Sequence, residues 1–107
     1  MILIAFDCDG TIDIANPEGP IPVSRLYELN SHPYIQVAIV SASPFCARLP
    51  FPRFVSENTR LENLLAAAIA YPSILNLYVS DNTGDDIISE YAGFTYIHPK
   101  NFRFPIR

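Results

Sequence analysis

Two aspartates one residue apart, Asp7 and Asp9, stand directly after a short apolar run, Ile2–Phe6, and are followed by Gly10 and Thr11. Further along, Ser41 follows a second apolar run, and Asp81 follows another with Asp85 and Asp86 close behind. Carboxylates and a hydroxyl gathered this way suit metal-assisted phosphoryl chemistry. Mg2+ favours oxygen ligands, takes few carboxylates, keeps several waters and completes its shell with substrate phosphate. Phosphoryl transfer itself mainly asks for positioning and charge stabilisation. Two neighbouring carboxylates push their titrations apart, so one stays ionised while the other carries a proton. Gly10 lets the chain turn sharply after the acids, where main-chain amides are expected to cradle phosphate oxygens.

The elements that must position these residues alternate along the chain. Ile2–Phe6 is an unbroken apolar run, as expected of a parallel strand buried on both faces. Asn16-Pro17-Glu18-Gly19-Pro20 marks a loop, and Val23–Asn30 is predicted to be a helix with Leu26 and Leu29 inward. Ile35–Val40 is the second strand. Pro44 to Pro52 allows at most one helical turn, and Phe54-Val55 is predicted to be a short third strand. Thr59-Arg60-Leu61-Glu62 has the form of a capping box. The helix it opens carries Leu61, Leu64, Leu65, Ala68 and Ile69 as its expected buried stripe. Ile74–Val79 is the fourth strand. Asp85–Tyr91 is a helix with Ile87, Ile88 and Tyr91 as its apolar side, closed by Gly93. Phe94–Ile97 is a fifth strand, ahead of a tail with prolines and aromatics. This order predicts one domain over residues 1–107: an α/β, three-layer α/β/α sandwich on a mostly parallel, five-stranded, Rossmann-like sheet. Ligands of such sheets sit beyond the carboxyl ends of the strands, where Asp7, Ser41 and Asp81 all fall.

Composition narrows the function classes. A chain with 50% hydrophobic and only 17% charged residues is expected to be a compact globule and not a disordered segment. No apolar run approaches a membrane span, and Met1–Phe6 reads as a buried strand and not as a secretory signal. Seven basic residues against eleven acidic ones, with Lys100 the one lysine, build no basic stripe for an extended nucleic-acid surface. Cys8 and Cys46 are expected to be reduced core thiols, which makes the cytoplasm the natural compartment. His32 and His98 each precede proline and are expected to be surface turn residues.

The strand-then-Asp-x-Asp-Gly-Thr of Ile2–Thr11 resembles the first signature of the haloacid-dehalogenase-like (HAD-like) hydrolase superfamily. Ser41 in VAIVSAS is similar to its second. Ser80-Asp81-Asn82-Thr83-Gly84-Asp85, with Ala92-Gly93-Phe94 after it, is similar to its fourth. The third signature is usually a lysine near the start of the helix before the fourth strand. No lysine lies there, and Arg60, at the first helical position, is the best candidate, ahead of Arg48 and Arg53. A cation at that position opposes the positive end of the helix by about 0.3–1 kcal/mol, so its presence asks for another reason. The resemblance implies a HAD-like Mg2+-dependent phosphatase in which Asp7 is the nucleophile that forms an aspartyl-phosphate. It implies Asp9 as general acid and base. Ser41 and Arg60, with Gly10 and Thr11, would bind the phosphoryl group. The implied metal ligands are Asp7, Asp81, the backbone carbonyl of Asp9, and Asp85 as a ligand or an orienter of metal-bound water. Asp86 is expected to satisfy the helix end instead.

The superfamily usually inserts a cap after its first or second signature. Here 29 residues, Ile12 through Val40, separate Thr11 from Ser41, and 18, Ala42 through Thr59, separate Ser41 from Arg60. Neither gap holds a folded lid. A capless site implies a phosphorylated substrate that is macromolecular, or a second subunit that covers the site in a homo-oligomer. The reading from another class is a catalytically inactive HAD-fold binding or regulatory domain, favoured by the absent lysine.

Overall fold

The structure is a computed structural model and describes residues 1–55 and 59–103. The last four residues of the expected tail therefore lie outside the described residues. Four parallel strands form the sheet: β1 (Ile2–Phe6), β2 (Ile35–Ile39), β3 (Leu75–Val79) and β4 (Thr95–Ile97), in the order β2-β1-β3-β4. Three helices connect them: α1 (Val23–Asn30), α2 (Arg60–Ala70) and α3 (Asp85–Tyr91). β1 lies centrally, with Phe6 registered against Ile39 on one side and Val79 on the other. Asp7, the residue after Phe6, is thereby placed at the middle of the carboxyl edge.

Alternate side chains of the strands enter two cores, as the pleat requires. Ile4, Phe6, Val37, Ile39 and Val79 pack with Leu26 and Leu29 of α1 and with Phe102 of the tail. Leu3, Ala5, Ala38, Val40 and Tyr78 pack with Leu64 and Ala67 of α2 and with Ala92 and Phe94 beside α3. Helices therefore cover both faces of the sheet.

The sheet has four strands among the described residues, where the sequence predicts five. The expected third strand, Phe54-Val55, is reduced to one parallel bridge between Ile39 and Arg53. Phe54 donates to the Ile39 carbonyl at 2.8 Å, and Ile39 donates to the Pro52 carbonyl at 2.8 Å. Pro50 and Pro52 have no amide to donate, which stops a longer ladder.

The predicted helix bounds hold, but two buried faces are rotated from expectation. In α2 the inward residues are Leu64 and Ala67, with Leu61, Ala68 and Tyr71 partly covered, whereas Leu65 and Ile69 are exposed. In α3 the buried residues are Asp85 and Ser89, and Ile87 and Tyr91 face outward. Positions i and i+4 share a helix face, so a buried Asp85 brings Ser89 inward with it. The α2 capping box forms: Thr59 Oγ1 accepts from the Glu62 amide at 3.3 Å, and Glu62 Oε1 accepts from the Thr59 amide at 3.4 Å. Gly93, at φ 83°, closes α3 in a Schellman arrangement, with Phe94 N–H on the Ser89 carbonyl and Gly93 N–H on the Glu90 carbonyl.

Cys8 and Cys46 are joined in a disulfide and are not the expected reduced thiols. Cys8 points away from the acidic edge into the α1-side core, as alternation at the strand end predicts. Cys46, in a short 3-10 turn over Pro44–Cys46, meets it there with the two Cα atoms 6.2 Å apart. That separation is within the range a disulfide spans. Their distance of 38 residues along the chain hides this proximity from a linear reading.

Candidate functional site

The carboxyl edge of the sheet carries the predicted residues on three strand exits. Asp7 continues the β1 ladder, donating its amide to the Val79 carbonyl at 2.9 Å. Its carboxyl is buried and is raised to about 6, chiefly because burial disfavours the charged form. Asp81 raises it further, by its charge and by a shared side-chain hydrogen bond. The Arg60 guanidinium and the Cys8 amide oppose the shift.

Asp81 is exposed and lies against Gly10. A Cβ at Gly10 would fall 2.0 Å from Asp81 Oδ2, and Gly10 sits at φ 75°, so glycine is required twice over. The expected cradle of main-chain amides is not free at this turn. Gly10 donates its amide to the Pro17 carbonyl at 2.7 Å, and Thr11 donates to the Cys8 carbonyl at 3.0 Å. Thr11 itself is fully buried, and its Oγ1 has no hydrogen-bond partner among the described residues.

Asp9 and Ser41 are brought together by a residue the sequence reading does not single out. Ser43, itself buried, donates its hydroxyl to Asp9 Oδ1 at 2.7 Å and its amide to Ser41 Oγ at 3.1 Å. The signal was present in the spacing, because residues two apart leaving a strand face the same way. Arg53 also has a place here: its guanidinium clasps the carbonyls of Ser41 and Ala42 at 3.3 and 3.2 Å.

The third group is built on the other side of Asp7. Arg60 Nη1 donates to Asp85 Oδ2 at 2.6 Å and to the Tyr78 hydroxyl at 2.8 Å. Ser80 Oγ donates to the same Asp85 oxygen at 2.7 Å, and the Tyr78 hydroxyl donates to the Val40 carbonyl at 3.2 Å. Burial, and after it the negative charge of Asp7, pushes the Tyr78 hydroxyl well above its usual range and keeps it neutral. The guanidinium is thus seated by a buried carboxylate and a neutral phenol. Tyr78 is not singled out from sequence because a tyrosine in a strand has many other uses, and Ser80 is read there only as part of the fourth signature, with no role of its own.

Asp7 and Asp81 therefore meet, with Arg60 near them. Asp9 is held by Ser43, and Asp85 is turned to Arg60. Asp86 is exposed and accepts from the Ile87 amide in the first turn of α3, as expected of it. Among the described residues no group of three or more His, Cys, Asp or Glu side chains is arranged to hold a metal ion. The two-carboxylate pair does fit Mg2+, which takes one or two carboxylates together with water and phosphate oxygens. His98 caps the 3-10 turn Pro99–Asn101 through Nδ1, and the His32 ring lies on Tyr34 at 4.9 Å, so neither histidine joins the site. No described helix is long and apolar enough to cross a membrane. Compared with known proteins, the chain matches no family model, no curated protein and no solved structure.

Proposed function

We propose that this chain is a capless, HAD-like phosphatase with a three-layer, Rossmann-like core. It would hydrolyse a phosphate monoester through an aspartyl-phosphate on Asp7. The observation that carries this reading is the meeting of a buried Asp7 with Asp81 at the carboxyl edge of the sheet, Asp81 lying against Gly10 and the Arg60 guanidinium acting on the Asp7 carboxyl. Two adjacent carboxylates repel an incoming phosphate unless a cation offsets them. Asp7 and Asp81 would hold Mg2+, with the Asp9 carbonyl as a further oxygen donor. Bound there, the ion neutralises charge where the phosphate enters.

In the first step an ionised Asp7 oxygen attacks phosphorus, and the ester oxygen leaves with a proton from Asp9. In the second, Asp9 takes a proton from water, whose oxygen attacks phosphorus and restores Asp7. The Ser43 hydroxyl fixes the Asp9 side chain for both transfers. Ser41 would donate to one phosphoryl oxygen and Arg60 would face another, its direction set by Asp85 and Tyr78. Among the described residues no inserted element forms a lid over the site, which supports a macromolecular phosphoester or a second copy as its cover. The cytoplasm was expected from two free thiols. With Cys8 and Cys46 bonded, that premise is gone, and an oxidising compartment fits better.

A binding domain that keeps this fold is the second reading. It is favoured by the pairing of Arg60 with Asp85, which occupies both groups in the absence of substrate. Hydrolysis of an aryl phosphate, with Mg2+ and with chelator, separates the two. The expected result is Mg2+-dependent turnover that falls at least about a thousandfold in Asp7→Asn. Turnover indifferent to Asp7 would sink the proposal, and Mg2+-dependent phosphate binding without turnover would establish the second reading.

A further inference from the structure

A cavity of about 390 Å3 lies on the α1 side of the molecule, away from the Asp7–Asp81 pair. Ile21 and Phe102 give it apolar walls, and Arg25, Lys100 and Arg103 bring cationic groups to it. This is an uneven use of a scarce resource. Three of the seven basic residues of the chain line the cavity, against one of the eleven acidic residues, Glu28, which pairs with Arg25. On a chain of net charge −4, a concave surface with this balance concentrates positive potential and favours anions. Arg103 is pinned at its place, donating Nη1 to the carbonyls of Lys100 and Phe102 at 3.3 and 3.0 Å. The volume is within the range of small-molecule sites.

Two of its lining residues contact the segments that lead into and out of the Asp7–Thr11 turn. Ile21 pairs with Ile12 in a parallel bridge, and a Cβ at Gly19 would strike the Thr11 backbone at 2.1 Å, so this loop is pressed onto the Asp7–Thr11 turn. Phe102 packs edge-on against Phe6, the residue before Asp7, at 5.6 Å.

We propose that this cavity is a second binding site, for an anion of the phosphate or carboxylate class carried on an apolar body. Its source is either a remote group of the molecule that meets Asp7 or a separate ligand. The chemistry recognised is the same in both cases.

Phenyl phosphate titrated into the full isotope-labelled chain, in chelator, tests the site by amide chemical shifts. Shifts are expected at Ser24, Arg25 and Phe102, retained in Asp7→Asn, with affinity at least about fivefold weaker in Lys100→Ser/Arg103→Ser. Lys100→Glu alone, which leaves the Arg103 contacts in place, is expected to weaken binding similarly, and the amide spectra report that each variant is folded. Unchanged affinity in both variants, or shifts confined to the surroundings of Asp7 and Arg60, would overturn the proposal. With a phenylene bisphosphate, one molecule per chain identifies a remote group of the same ligand. Two per chain identify a separate one, and either stoichiometry supports the site.

Discussion

Asp7 is the residue at which burial and function oppose each other. Its ordinary carboxyl value is 3.8, and in the folded chain it rises to about 6. Between those values the folded chain binds a proton that the unfolded chain has lost, so stability falls as pH rises through this window. The loss is complete about one unit above the folded value, near pH 7, and amounts to about 3 kcal/mol. A neutral amide of the same shape avoids it. In metal-free protein, Asp7→Asn is expected to be more stable than wild type by about 1–3 kcal/mol at pH 8 and nearly equal to it near pH 4. Urea unfolding at the two pH values checks this. A variant equally or less stable at pH 8 would mean that the carboxyl is not buried at a cost. The substitution expected to remove the proposed turnover should thus stabilise the fold, which is the pattern of a group placed for chemistry.

At the scale of elements, α3 shows how a buried polar contact overrides an apolar pattern. Ile87 and Tyr91 are exposed because Asp85 faces Arg60 and Ser80, and a seven-residue helix has no second face to bury. Its end depends on Gly93. No atom lies within 4 Å of a Cβ built there, so substitution meets backbone strain alone. Gly93→Ala is expected to lower stability by about 1–2 kcal/mol, seen as a lower urea midpoint with an unchanged slope. A neutral effect would show that α3 does not end in the left-handed conformation. Of the elements, α1, α2 and α3 were legible because their caps and prolines are local signals. Phe54-Val55 was not, because whether a short apolar pair joins a sheet depends on the amides its neighbours supply.

Across the whole molecule, the Cys8–Cys46 bond ties the turn between Asp7 and Asp9 to the segment that carries Ser41 and Ser43. Closing a loop with a sequence separation of 38 restricts the unfolded chain. It is worth about 4 kcal/mol by the chain-entropy relation. Cys46→Ala is therefore expected to lose about 2–4 kcal/mol, measured against wild type without reductant. Thiol titration of the denatured wild-type chain should find no free thiol, and two thiols would remove the bond and the prediction together.

The sequence by itself determined the parallel α/β order, the helix bounds and the gathering of Asp7, Ser41 and Asp81 at one edge. Each follows from local periodicity, from caps, or from the rule that parallel strands present their carboxyl ends together. That Asp7 and Asp81 meet is what the resemblance implies; only the tertiary structure decided where Asp9 and Asp85 turn. Asp7 finds Asp81, Asp9 finds Ser43, and Asp85 finds Arg60, partners 74, 34 and 25 positions apart. Side-chain pairing over such distances depends on how two faces of a sheet are covered, and no spacing along a single chain encodes it. The same reason hid the disulfide and the basic cavity, whose walls come from residues near 21, 25 and 102.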